Sequence, residues 1–259
     1  MLNSNVAIAS DDMVENDLQP FNSLHFAVHD INSATPGRIG DWVEWLVRPT
    51  DMQPGEYVEA VLARGLTVEF DQAVLRAATN WLQYQPATTR LSVNVFARTI
   101  SNASFTGFVD RLILASDINP SQLCFEITEH HAIENLMVAT GFAKHVRSIG
   151  ASVALDDIGT GNMHVGLLAP LQLVDFVKID RSWVTPALHS VAHKETLEAL
   201  VIFANRMNIQ VVLEGIETVD HMQLVVDYQA DYYQGFVDGE PRLVGERGSA
   251  YSDGLREAI

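Results

Sequence analysis

Several short apolar runs of this 259-residue chain each carry an ionisable or amide residue toward their C-terminal end. These residues are Glu44, Asn94, Glu126, Asp156 with Asp157, Lys178, Glu214 and Gln234. If they share one site, five carboxylates and carboxamide oxygen meet a single ammonium. Carboxylates forced together repel and take up protons unless cations compensate, and one lysine is too little. Divalent metal is the natural compensation, and all-oxygen donors favour Mg²⁺, Mn²⁺ or Ca²⁺ over zinc. Five carboxylates are ample for two ions roughly 3.5–4 Å apart, the arrangement that serves phosphoryl and phosphodiester hydrolysis.

Taken singly, none of these residues carries such weight. A lone Asp or Glu at a strand end is more often a cap, Asn94 a turn residue, and Lys178 a side chain that snorkels to solvent. Gly159-Thr160-Gly161 reads as a plain turn, and the adjacent His130 and His131 do not share a helix face. The set gains force from a shared structural address at the ends of strands.

The elements that must position the set alternate along the chain. β-rich runs fall at 24–30, 42–47, 91–95, 123–128, 152–157, 175–180, 211–215 and 231–235. Most are nearly continuous apolar stretches, as in strands buried on both faces. Between them lie helical periods. Phe70, Val74, Leu75, Ala78, Trp81 and Leu82 form one face. Ile133, Leu136, Met137, Phe142, Val146 and Ile149 form another, stopped by Gly150, and Leu197, Leu200, Val201, Ala204 and Met207 a third. Eight strands alternating with helices predict an α/β fold of the (β/α)8 barrel kind, whose active sites assemble at the C-terminal ends of the strands.

Composition narrows the function classes. Lys plus Arg number 16 against 33 Asp plus Glu, a formal net charge of −17, which argues against nucleic-acid binding through a basic face and against a basic membrane anchor. No apolar run approaches the roughly 20 residues of a membrane span, and the N-terminus lacks a secretory pattern. Cys124 is the only cysteine, so the reading is a cytoplasmic protein without intramolecular disulfides or a cysteine-based zinc site. Residues 1–20 read as an acidic tail, 21–245 as one domain and 246–259 as a polar C-terminal tail.

At its strand-end residues the chain resembles the EAL-domain family, the bacterial cyclic-di-GMP phosphodiesterases. Glu44-Trp45-Leu46-Val47-Arg48 is similar to the signature Glu-x-Leu-x-Arg, with Trp where the family name places Ala. Ser92-Val93-Asn94 resembles the family's Asn strand, and Glu126-Ile127-Thr128-Glu129 its Glu-x-Thr-Glu motif. Asp156-Asp157-Ile158-Gly159-Thr160-Gly161 resembles Asp-Asp-Phe-Gly-Thr-Gly, and Lys178-Ile179-Asp180 the Lys-Ile-Asp segment. Glu214-Gly215-Ile216-Glu217-Thr218 and Gln234-Gly235-Phe236 resemble the last two motifs. The order matches, from about Leu24 to Pro241.

The resemblance implies a modified TIM-like barrel whose first strand is antiparallel. It implies that Glu44, Asn94, Glu126 and Asp156 bind one ion, Mg²⁺ or Mn²⁺. Asp156 bridges to a second ion held also by Asp157. Lys178 positions the attacking water or a phosphate oxygen, and Glu214 is a ligand or the general base. Glu44, Lys178 and Glu214 form the catalytic set. Arg48 meets a phosphate, Gln234 and Leu46 meet the nucleotide, and Glu129 and Glu217 support the site wall. The implied reaction is hydrolysis of cyclic di-GMP to linear pGpG, with a homodimer and a regulatory protein as candidate partners. Three departures keep alternatives open: a cyclic-di-GMP receptor, a protein-interaction regulator, or a metal phosphodiesterase for another nucleotide. The first strand reads His25-Phe26-Ala27-Val28 where the family has a Tyr-Gln-Pro stretch. Trp45 is bulky, and alternation sends it to the face opposite Glu44 and Leu46. The loop after Gly161 reads Asn162-Met163-His164-Val165 rather than an aromatic followed by Ser-Ser-Leu.

Overall fold

The computed structural model describes residues 21, 24–35, 41–128, 135–158 and 173–245. The N- and C-terminal tails, Ile133, Glu129, the His130-His131 pair, Gly159-Thr160-Gly161 and the 162–165 loop lie outside the described residues. In chain order the strands are β1 (His25–Asp30), β2 (Asn32–Ser33), β3 (Trp42–Arg48), β4 (Arg90–Phe96), β5 (Leu123–Thr128), β6 (Ser152–Ile158), β7 (Phe176–Ile179), β8 (Gln210–Glu214), β9 (Tyr232–Gln234) and β10 (Arg242–Leu243). The helices are α1 (Pro54–Arg64), α2 (Thr67–Leu82), α3 (Ala97–Ile100), α4 (Ala103–Ala115), α5 (Leu136–Ser148), α6 (Arg181–Ala187), α7 (Val191–Arg206) and α8 (Val219–Asp227).

Strands β3 to β9 run parallel in sequence order. β1 is antiparallel to β3, and β2 is antiparallel to β9. Only Ile31 separates β1 from β2, so one stretch of chain pairs with both ends of the parallel run and closes the sheet into a barrel. The expected reversed first strand is present. Short β10 adds a flap on the outer edge of β1, pinned where the Arg242 guanidinium donates two 2.7 Å hydrogen bonds to Asp30.

Alternation along the strands sorts side chains into two bodies. Outward residues such as Trp45, Val93, Phe125, Val153, Val177, Val211 and Leu213 join a core with Val74 and Trp81 of α2, Phe105 of α4, Phe142 of α5 and Leu197 of α7. Inward, Ile31, Trp42, Cys124, Ala154, Phe176 and Val212 form a separate apolar plug. Trp45 turns outward as alternation requires and packs between Phe26 (ring centroids 4.8 Å) and Trp81 (5.5 Å).

Local chemistry sets the helix ends. Pro54 opens α1 and Gly65 (φ 70°) closes it. Asn102, Asn135, Ser190 and Thr218 accept backbone N–H groups at the starts of α4, α5, α7 and α8. Gly150 follows the end of α5 at φ 102°, as its position after the Phe142–Ile149 face predicts.

Candidate active site

On the parallel strands, two residues beyond each plug residue and beyond Tyr232, which packs against the plug, lies the next inward position, and these positions hold most of the polar set. Trp42 leads to Glu44, Cys124 to Glu126, Ala154 to Asp156, Phe176 to Lys178, Val212 to Glu214 and Tyr232 to Gln234. The chain therefore stacks a ring of polar groups on the plug, at the C-terminal ends of the parallel strands.

Lys178 is the hub, with 1% of its side chain exposed. Its Nζ lies 2.8 Å from Glu214 Oε1, 2.9 Å from Glu126 Oε2, 3.3 Å from Glu44 Oε2 and 3.5 Å from Asp156 Oδ1. It does not snorkel. Asn94 Nδ2 donates to Glu44 Oε1 at 2.8 Å, and Gln234 Nε2 donates to Glu44 Oε2 at 2.9 Å.

The electrostatics follow from the crowding. Burial and the neighbouring Glu44 and Asp156 push the Glu126 carboxyl up to about 8, although Lys178 opposes them. Burial likewise raises Asp156 and Glu214 against the pull of Lys178. Glu44 moves the other way, because Lys178, Gln234 and Asn94 together outweigh its burial. Burial acts to lower Lys178, yet the four carboxylates hold it well above the usual lysine range.

Asp157 reaches the same mouth by a break in alternation. The β6–β7 register shifts between Leu155 and Ile158, and Asp157 takes φ 57°, a left-handed conformation uncommon outside glycine. Its N–H donates to Asp156 Oδ1 at 2.9 Å. Carboxylate oxygens of Asp156, Asp157 and Glu214 all lie within 4.8 Å of one another. Two buried oxygens, Asn94 Oδ1 and Glu126 Oε1, have no hydrogen-bond partner among the described residues. A donor-poor cluster of acceptor oxygens with one ammonium fits hard divalent cations.

Leu46 and Arg48 at the end of β3 line a cavity of about 430 Å³ together with Asn94, Asp157 and the apolar Trp45, Val58, Phe70 and Val74. Glu217 stands apart from the acidic layer. Its side chain is 46% exposed, 3.9 Å from Arg181, and its N–H donates to His221 Nδ1.

Residues 44–241 match the family description EAL domain. The chain belongs to the EAL-domain family. It is 30% identical over 216 residues, 79% of its length and 34% of the relative's, to the uncharacterized protein Rv1354c of Mycobacterium tuberculosis. It is 27% identical over 198 residues to the probable cyclic di-GMP phosphodiesterase PdeA of Escherichia coli, covering 75% of this chain and 27% of PdeA. It thus spans about a third or less of these relatives. The solved PaMucR phosphodiesterase in complex with c-di-GMP superposes with TM-score 0.76 at 25% identity, over 84% of this chain and 96% of that one.

Two glycines of the EAL motifs have steric causes in this domain. A Cβ on Gly215, itself at φ 69°, would lie 2.3 Å from Arg181 Cβ, and one on Gly235 would lie 2.1 Å from Ile216 O. Ile216 N–H donates to Gln234 O and Val237 N–H to Ile216 O, so the loops after β8 and β9 are stitched together beneath the mouth. Two polar residues near the site had no motif to announce them. His29 of β1 stands opposite Glu44 in the register, and its Nδ1 is 3.2 Å from Gln234 Nε2. Burial lowers its pKa against the pull of Glu44. Asp71 of α2 is buried beside the cavity and accepts the Phe96 N–H at 3.0 Å. The alternation of β1 was the signal for His29; Asp71, in mid-helix, had none.

Proposed function

We propose that this EAL domain is a metal-dependent phosphodiesterase that hydrolyses cyclic di-GMP to linear pGpG. The observation that carries the reading is the inward layer of Glu44, Asn94, Glu126, Asp156 and Glu214 around Lys178, with Asp157 folded back toward it. Glu44, Asn94, Glu126 and Asp156 would hold one ion, and Asp156, Asp157 and Glu214 a second, either Mg²⁺ or Mn²⁺. Bound there, divalent cations supply Lewis acidity and offset the charge of the phosphodiester. Lys178 orients a water or a phosphate oxygen. As an alternative to holding the second ion, Glu214 would take up the proton of the attacking water, a contribution typically of about 10²–10⁴ in rate. Arg48 steers a phosphate, and Leu46 and Gln234 meet the nucleotide. The names of the relatives support the substrate, since PdeA and PaMucR are called phosphodiesterases of, or bound to, cyclic di-GMP.

The test is chromatography of cyclic di-GMP incubated with the protein and Mn²⁺ or Mg²⁺. A pGpG peak that disappears in EDTA and in Glu44→Ala is expected. Intact substrate in both metals would overturn the enzymatic reading. One observation favours a second reading, a receptor that binds cyclic di-GMP without turnover: Phe26 stacks outward on Trp45 where the family's first strand carries nucleotide-binding residues. Tight binding of cyclic di-GMP with no product in either metal would select it.

A further inference from the structure

Ile31 packs inside the barrel, so alternation places His29, two residues earlier, on the inward face of the same stretch of chain. There it meets the amide of Gln234, which is itself buried. Glu44, beside Lys178, offers only acceptor oxygens to its neighbours. Gln234 must therefore turn its NH₂ toward Glu44, and the 2.9 Å Nε2–Oε2 contact uses one of the two hydrogens. The second hydrogen points to His29 Nδ1 at 3.2 Å. Nδ1 then accepts, which puts the ring proton on Nε2, a buried nitrogen with no hydrogen-bond partner among the described residues.

We propose that His29 is a positioning residue of the site: by accepting the second hydrogen of Gln234 it anchors the carboxamide that grips Glu44. Glu44 is thereby held from both sides, by Asn94 on Oε1 and by the His29–Gln234 pair on Oε2. With an apolar side chain at 29, Glu44 still sets which way the amide faces, but the second hydrogen of Gln234 is stranded in a buried site and the side chain loses its anchor on the far side. The inference rests on the metal-dependent reading above, in which Glu44 is a ligand. Hydrogen-bond partners behind a ligand set its orientation, and their loss costs metal affinity or activity.

The experiment compares His29→Leu with His29→Asn, whose side-chain carbonyl stands where Nδ1 stood. Mn²⁺ affinity is read by calorimetry, kcat and KM on cyclic di-GMP by chromatography. Leu should weaken Mn²⁺ binding and lower kcat by about tenfold or more, with any rise in KM from a looser Gln234 coming in addition, and Asn should return Mn²⁺ affinity and kcat to within about threefold of the parent. Equal damage in Leu and Asn would mean packing alone and overturn the proposal. So would a Leu variant indistinguishable from the parent, or a change confined to KM. If the Leu variant does not fold, His29→Gln, which carries its carbonyl at the Nε2 position, replaces it and should fail as Leu does. If the parent yields no pGpG, the phosphodiesterase reading falls, and the ratio of Mn²⁺ affinities still decides the role of His29.

Discussion

A single ammonium among four carboxylates makes Lys178 the most consequential side chain of the domain. It is enclosed, so removing it leaves carboxylates buried together with no compensating charge. Lys178→Met should cost about 3–5 kcal/mol of stability in EDTA, and Mn²⁺ should recover more stability in the variant than in the parent. Urea unfolding with and without Mn²⁺ checks this, and an unchanged midpoint in EDTA would contradict it. Asp71 makes a separate pH-dependent prediction. Burial pushes its carboxyl up to about 8, against the Phe96 amide and the Thr99 hydroxyl that favour the anion. A carboxyl with a raised folded pKa contributes stability that is complete below its ordinary value near 3.8 and is lost as pH rises through about 8. Asp71→Asn does not titrate, so its melting temperature should gain on the parent steadily from pH 5 to pH 8 and then run parallel. Parallel profiles over the whole range would refute the assignment. The acidic residues of the mouth were legible because each ends an apolar run, whereas Lys178 alone read as a surface lysine. Its burial is a consequence of convergence, which no single strand reveals.

At the scale of elements, most strands were readable to within a residue because both faces are buried and the runs are nearly continuous. The helices α1, α4, α6 and α8 were not singled out, although α1, α4 and α8 are no less amphipathic than α7; α6 has only 7 residues. β2 and β10, at two residues each, are too short for any periodicity to register. The adjacent acids 156 and 157 pose the sharper lesson. A regular strand would send them to opposite faces, and the register shift with left-handed Asp157 is what returns both to the mouth. Gly235 depends on close approach rather than on its backbone angles. Gly235→Ala drives a Cβ into Ile216 and should cost about 1–3 kcal/mol while weakening Mn²⁺ binding, because Gln234 moves with it. Thermal unfolding and calorimetry read the two effects, and an alanine variant with both properties intact would show that the loops after β8 and β9 are not coupled to the site.

The molecule as a whole is a barrel closed by one stretch of chain, residues 25–33, that pairs with β3 and then with β9. That closure brings His29 to Glu44 and Gln234 although 190 residues separate the latter two. The alternation of strands and helices indicated the barrel, but the reversed first strand came only from the family resemblance, since an isolated strand carries no sign of its direction. Whole-molecule charge adds a constraint. A chain of net −17 with an acidic mouth repels an anionic nucleotide. In EDTA, binding of cyclic di-GMP should be weak and should strengthen as salt screens the repulsion; with divalent metal it should be tighter by about tenfold or more. Fluorescence titration at two salt concentrations checks both, and salt-independent binding in EDTA would remove charge from the explanation. In the proposed function the strand ends form one oxygen cage for a pair of divalent ions. Calorimetric titration of Mn²⁺ into the cyclic-di-GMP complex tests it most directly. About two ions per chain are expected for the parent, with marked loss in Glu44→Ala; no measurable Mn²⁺ binding, or binding undiminished in that variant, would contradict it.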